Sequence, residues 1–283
     1  MKAALSRRVR SAAAFLLTAL CVVIALVPLL SLAWLVVSRG WAGFSWALLT
    51  EVPGPPGGAP GGVGNALAGT GVVVFWAALL GLPLGIGAGV FLAESDHDDR
   101  LASAVRFTAD VLAGVPSIVA GIVAYGLIVA PMKRFSALAG AVALAVLMLP
   151  ALARTTEELV RRVPGALREG GLALGIPQWK TSLRIVLPAA AAGIATAVLL
   201  SIARIAGETG PLLFTSLNNA HWSLAPDQPI GTLTVQLYND AISPYPAMQQ
   251  RAWATALLLL VVVGLLNMAA RVVAGRRAEG AHG

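Results

Sequence analysis

The sequence predicts an all-α integral membrane protein of about six spanning helices, with both termini in the cytoplasm. Three observations carry that reading. Of 283 residues, 58% are hydrophobic and only 12% are charged, too little charge to coat a soluble fold of this size. The apolar residues fall in long uncharged runs that can cross ~30 Å of hydrocarbon at ~1.5 Å per residue. Lys and Arg, finally, gather on alternate connecting segments.

Arg10 and Arg39 bracket the first run, whose apolar stretch 12–37 is about twice the length of a signal-peptide core, so it reads as a retained helix. Residues 65–93 form the second span. Asp110 and Lys133 bracket the third, Arg134 and Arg154 the fourth, and Arg251 and Arg271 the sixth. The fifth begins after Arg184 and runs to about Leu217, interrupted by Arg204 and Glu208. With the N-terminus inside, fifteen Lys and Arg fall on inner segments and four on outer ones, Arg204 being the last of the twenty. The net charge of +7 is therefore read as this inward bias rather than as a nucleic-acid surface.

Several chemistries are disfavoured. Cys21 is the single cysteine, so no intrachain disulfide forms. His97, His221 and His282 lack metal-ligand spacing, and no metal is assigned. No Gly-Lys dipeptide occurs, so the chain has no phosphate-cradling P-loop and is expected not to bind ATP that way. No catalytic residue is assigned.

Residues 52–64, VPGPPGGAPGGVG, read as a Gly/Pro linker on the outer side. The outer loop 218–251 carries Trp222, Tyr238 and Tyr245, with Trp253 just beyond. These aromatics form an interfacial belt, a docking surface for an outer partner, or both. Gly114-Val-Pro-Ser-Ile118 either kinks and restarts the third span or presents free N–H groups behind Pro116 to an anion. Asp110, just before it, is read as the inner membrane edge in preference to a proton relay.

The segment 154–187 is the longest charged stretch. It reads as a helix end, a turn at Gly175, and a short amphipathic element in which Pro177, Trp179 and Leu183 oppose Gln178, Lys180 and Arg184. By itself this describes a surface helix on the headgroups. In the fifth span Arg204 and Glu208 stand at i,i+4, so they share a face and can pair. A helix starting at Ile185 puts Arg204 near the outer surface, whereas one starting near Ala190 puts it past the midplane, which is favoured. There the pair either neutralises itself and pins the helix, or Arg204 is a transient anion site with Glu208 as counter-ion.

Glu169, Gly175, Ile185, Leu187 and Pro188 fall in register with the loop motif of ABC importer permeases: Glu-Ala-Ala, three residues, Gly, nine residues, Ile-x-Leu-Pro. Gly170 and Gly171 depart from it by replacing the usual alanines, which puts the helical length before Gly175 in doubt. Residues 202–209 (IARIAGET), Pro211 to Thr215, Gly114 to Ile118, Gln228-Pro-Ile230, Ser243-Pro244, Gln249-Gln250 and Ala252-Trp-Ala254 resemble the phosphate permease family PstA. The resemblance covers residues 61–273.

It implies a type-1 importer permease fold. Residues 1–60 would form a first helix and linker, 61–275 the core with its coupling loop at about 154–187, and 276–283 an inner tail. Glu169, Gly175, Trp179 and Pro188 would lie in the loop that docks on the ATPase. Arg204, Glu208, Thr209 and Ser117 would line the substrate path. The implied partners are a homologous permease PstC, an ATPase dimer PstB that binds the ATP, and an outer phosphate-binding protein PstS, periplasmic or lipid-anchored. Rival readings are an importer of sulfate or molybdate, an ion-coupled secondary transporter, or a membrane scaffold. The loop motif speaks against the secondary transporter, and the charged pair weakly against the scaffold.

Overall fold

The computed structural model describes residues 2–95 and 99–280, with side chains for 11–95 and 99–272. His97 and His282 lie outside the described residues. The chain is helical: α1 (Lys2–Trp41), α2 (Trp46–Thr50), α3 (Gly64–Glu94), α4 (Arg100–Gly114), α5 (Ser117–Met132), α6 (Ala137–Arg161), α7 (Gly165–Ala173), α8 (Gln178–Ala206), α9 (Gly210–Thr215), α10 (Leu233–Ala241) and α11 (Pro246–Gly280). Five of these (α1, α3, α6, α8 and α11) are long and apolar enough to cross a membrane.

The third span breaks within Gly114–Ile118, where the sequence offers a kink and restart. It is split into α4 and α5, which meet at 105°. Pro116 causes the break: it lacks an N–H and drives Val115 out of the helical region (φ −74°, ψ 127°). The pair still crosses. Successive contacts Gly81–Ala145, Gly85–Leu152 and Gly89–Thr156 ascend together, so α3 and α6 run in the same direction. The bent pair must therefore carry the chain back between them, which makes six crossings.

The α3–α6 seam is the centre of the bundle. A Cβ at Gly85 would lie 2.9 Å from Leu152 Cδ2, and one at Gly89 2.5 Å from Thr156 Cβ. Small residues let two backbones approach where lipid gives no hydrophobic drive for helix pairing. Val73, Ala77, Leu144, Met148, Leu152 and Ile205 form the buried cluster around this seam. By contrast, α1 has none of its apolar window buried. It joins the bundle at its final turn, where Gly40 abuts Leu257 and Gln250 donates to the Arg39 carbonyl at 2.9 Å. Thr18, Ser31 and Ser38 bond carbonyls within the helix, Ser31 that of Pro28 at 2.9 Å, as an apolar medium requires.

The fifth span ends at Ala206 rather than near Leu217; Gly207 caps it and α9 follows as a separate short helix. Its start is earlier than expected too. The amphipathic segment 178–184 is not an independent element but the first turns of α8, joined through a π-helical turn at Ser182–Val186. Pro188 accounts for that turn. Its missing N–H and its ring conflict with the carbonyl one turn back, and a wider turn relieves the clash. The same device recurs at Tyr125–Val129 before Pro131.

Residues 52–64 are a tightly closed loop rather than a flexible linker. Gly62 donates to the Val52 carbonyl at 2.9 Å and Val63 to the Leu48 carbonyl at 2.7 Å. Opposite it lies a buried polar chain. Asn218 donates to Gln236 (3.0 Å), Gln236 to Asp240 (2.9 Å), and Arg251 to Asp240 through two nitrogens (2.6 and 2.7 Å) and to the Pro60 carbonyl. This network clamps the 218–245 loop, α11 and the Gly/Pro loop together. Trp222, Tyr238 and Tyr245 remain exposed around it.

Two outcomes follow. Gly89→Leu, which overpacks the seam, should cost about 1–3 kcal/mol and visibly lower the thermal midpoint of the purified protein. Gly87→Leu, on the same helix with open space beside it, should leave the midpoint unchanged. Asp240→Asn strands the buried Arg251 charge and should destabilise by about 3–5 kcal/mol, whereas Asp240→Leu combined with Arg251→Met should recover most of the loss.

Candidate functional site

The two interrupted spans meet. The start of α5 packs on the start of α9: a Cβ at Gly121 would lie 2.5 Å from Pro211 Cα, and one at Gly210 3.4 Å from Ser117 Oγ. Beside this junction is a cavity of ≈ 280 Å³. Ser117 and Val115 reach it from the α4–α5 break, Leu147, Pro150 and Arg154 from α6, and Arg204 and Glu208 from the end of α8. At ~30 Å³ per water, an oxyanion and several waters fit. An interrupted span lining a cavity is the setting in which non-helical backbone can find partners at membrane depth.

Arg204 sits in the last turn of α8 and is exposed; Glu208 lies beyond the helix end and is half-buried. The shared helix face expected from their i,i+4 spacing is therefore lost at Gly207. Among the described residues neither side chain is in an ion pair. The Glu208 backbone is fixed by Thr234, whose hydroxyl donates to its carbonyl at 2.9 Å. Thr209 is not at the cavity; its carbonyl accepts from Leu212 (3.1 Å) and Leu213 (3.3 Å) to start α9.

The depth of Arg204 follows from its neighbours, since α8 begins at neither Ile185 nor Ala190. Gly193 abuts Leu159 of α6, which runs the other way. Arg204 is ~16 Å further along α8, level with the middle of α6. The adjacent Ile205 agrees, being in one buried cluster with Leu144 and Met148.

The end of the bundle that carries α7 is held by charges. Glu94, at the end of α3, accepts from Arg168 (3.2 Å) and from Ser182 Oγ (3.0 Å). Arg168 also caps the end of α6 by donating to the Val163 and Val160 carbonyls at 2.9 and 2.8 Å. α7 and the ends of three spans, α3, α6 and α8, are thereby locked at one point. Nearby, the buried Glu157 is shared by Arg106 (3.0 Å), Arg161 (3.1 Å) and Arg154 (3.7 Å), and Arg154 also bonds Asp110. Neither Glu94 nor Glu157 stood out in the sequence, because their partners are far along the chain or read only as boundary charges.

On this lattice the loop projects. The helix before Gly175 persists through Gly170 and Gly171 to Ala173. Gly171 has a packing role, since a Cβ there would meet Thr181 at 2.7 Å. Gly175 turns the chain with φ +73°, a conformation suited to Gly. Leu167, Leu172, Leu174, Trp179 and Leu183 stand exposed, Leu174 by 80%, and Lys180 Nζ lies 5.2 Å over the Trp179 ring. Glu169 and Pro188 are exposed as well. An apolar ridge rimmed by charge is the form of a protein-docking surface.

Residues 81–279 match the model of the family "Binding-protein-dependent transport system inner membrane component". The chain is 46% identical over 255 residues to the "Phosphate transport system permease protein PstA" of Yersinia pestis, covering 88% of this chain and 86% of that protein. It is 40% identical over 287 residues to "PstA 1" of Mycobacterium tuberculosis, at 96% and 91% coverage. In fold it is similar to a chain of the inward-facing MetNI methionine ABC transporter (TM-score 0.57, 21% identity, 86% of this chain and 96% of that one). A bacterial alginate ABC transporter in complex with its periplasmic protein gives a TM-score of 0.56 at 15% identity, covering 75% and 78%. Six crossings, an interrupted pair of spans around a charged cavity, and a projecting loop thus belong to a membrane transport component rather than an enzyme, and the chain is a member of the binding-protein-dependent inner membrane permease family.

Proposed function

We propose that this chain is the permease subunit of an ABC importer and forms half of a path for inorganic phosphate across the bacterial inner membrane. The observation that carries the reading is Arg204, in no ion pair among the described residues, at mid-depth and facing a cavity where two interrupted spans meet. An arginine inside a membrane costs at least ~2.5 kcal/mol on insertion scales, so its retention there calls for a polar occupant. A guanidinium offers an oxyanion two parallel hydrogen bonds. Glu208, lining the same cavity, opposes tight binding by its charge and so favours release. The shared name of the relatives supports phosphate over sulfate or molybdate.

The face bearing α7 is taken as cytoplasmic because it collects the excess of Lys and Arg. On this reading both chain ends lie on that side as well. An ATPase dimer of the PstB type docks on the ridge around Gly175 and Trp179, binds the ATP and drives alternating access. A PstC-type permease completes the path, and a PstS-type binding protein delivers phosphate from outside. The charged lock at Glu94, Arg168 and Ser182 transmits the motion, because a push on α7 moves the ends of α3, α6 and α8 together.

In vesicles carrying the assembled transporter, ATP should drive uptake of phosphate and not of sulfate. Arg204→Ala should reduce phosphate uptake at least ~10-fold, the loss expected when a charge-assisted hydrogen-bond pair is removed, with assembly intact. Unchanged uptake would sink the site. Leu174→Asp should abolish copurification of the ATPase while leaving the permease folded, since the side chain is exposed in the isolated subunit.

A further inference from the structure

The cavity has a second guanidinium. Arg154 lines it together with Arg204, yet it comes from a different helix, α6. Gly193 and Leu159 set the register between α6 and α8, and by it Arg154 stands ~8 Å nearer the α7 face than Arg204. Its surroundings mirror those of the first arginine: Arg204 has the carboxylate of Glu208 in the same cavity, and Arg154 is bonded to Asp110. Both members of that second pair are partly open to solvent, at 38% and 62% of the side chain.

The charge balance is uneven. Among the described residues Arg106, Arg154 and Arg161 converge on Asp110 and Glu157, so three guanidinium groups face two carboxylates. Glu157 is buried and already shared, which leaves Arg154 dependent on Asp110 for most of its compensation. Among the described residues, one guanidinium of this cluster is left without a carboxylate of its own. Asp110 belongs to α4, before the 105° break, whereas Arg154 belongs to α6. Any swing of α4 against α6 changes the pair.

We infer that Arg154 is an inner contact for the transported oxyanion, with Asp110 as the exchangeable counter-ion that holds it until the anion arrives. This rests on the functional reading above. An anion leaving Arg204 towards the α7 face competes with Asp110 for the Arg154 fork and is handed on. Two weak sites in series favour exit more than one strong site does. The same pair closes the inner end of the cavity when no anion is present.

Neutral substitutions separate this role from that of a structural ion pair. In the assembled transporter in vesicles, Arg154→Gln should lower the maximal rate of ATP-driven phosphate uptake about 10-fold or more, while ATP hydrolysis continues. The double variant Arg154→Gln with Asp110→Asn should be as slow as the single one. A structural pair predicts the opposite: removing both charges relieves the stranded Asp110 and restores uptake. Arg154→Lys keeps the ion pair but loses the fork, and should assemble normally with slowed uptake. Recovery in the double variant, or wild-type rates in Arg154→Gln or Arg154→Lys, would overturn the inner contact alone. A wild-type complex that moves no phosphate would overturn the functional reading beneath it.

Discussion

Inside a bilayer every backbone N–H and C=O needs a partner, and only an unbroken helix supplies all of them within itself. This chain breaks two of its six crossings, at Val115–Pro116 and at Gly207–Thr209. Much of the rest of the structure follows from where those breaks can be tolerated. They are set against one another, Gly121 on Pro211 and Gly210 on Ser117, around a cavity of ≈ 280 Å³. The exposed turns thus face protein and water-accessible space instead of lipid. The seam of α3 on α6 supplies the rigid wall behind them, and Ile205 and Leu212 on either side of the second break are buried in its cluster.

Polar interactions are concentrated at the two ends of this frame. At one end Asp240 and Arg251, nearly inaccessible, hold the 218–245 loop and α11 to the Gly/Pro loop. At the other, Glu94, Arg168 and Ser182 hold α7 to three spans. Between them the contacts are mostly apolar and small-residue contacts, which can slide or rock without losing buried hydrogen bonds. Stiff ends and a smoother middle distinguish the two faces of the frame from the interior that holds the charged cavity.

Much of this was legible in the chain. Uncharged runs between basic residues located α1, α3, α6 and α11, because crossing length and apolarity are local properties. The loop motif was legible for the same reason: Gly175 turns the chain where the spacing requires. The third span breaks where Gly114 to Ile118 allows a kink, but more sharply than a kink implies, and the fifth ends earlier than its run of apolar residues. Hydropathy cannot see a 105° turn within an apolar run, and the i,i+4 spacing of Arg204 and Glu208 assumed a helix that stops between them. Thr209, adjacent in sequence, is outside the cavity, whereas Arg154, fifty positions away and read only as a span boundary, lines it.

Composition, charge asymmetry and local spacing therefore determined the class of molecule, the number of crossings and the motifs that matter, since each depends on residues close together along the chain. Tertiary structure alone decided the depth of Arg204, its separation from Glu208 and the company of Arg154. Those are set by the register between α6 and α8 and by the meeting of two helix breaks, and register between distant helices is fixed by packing, which no single segment of sequence contains.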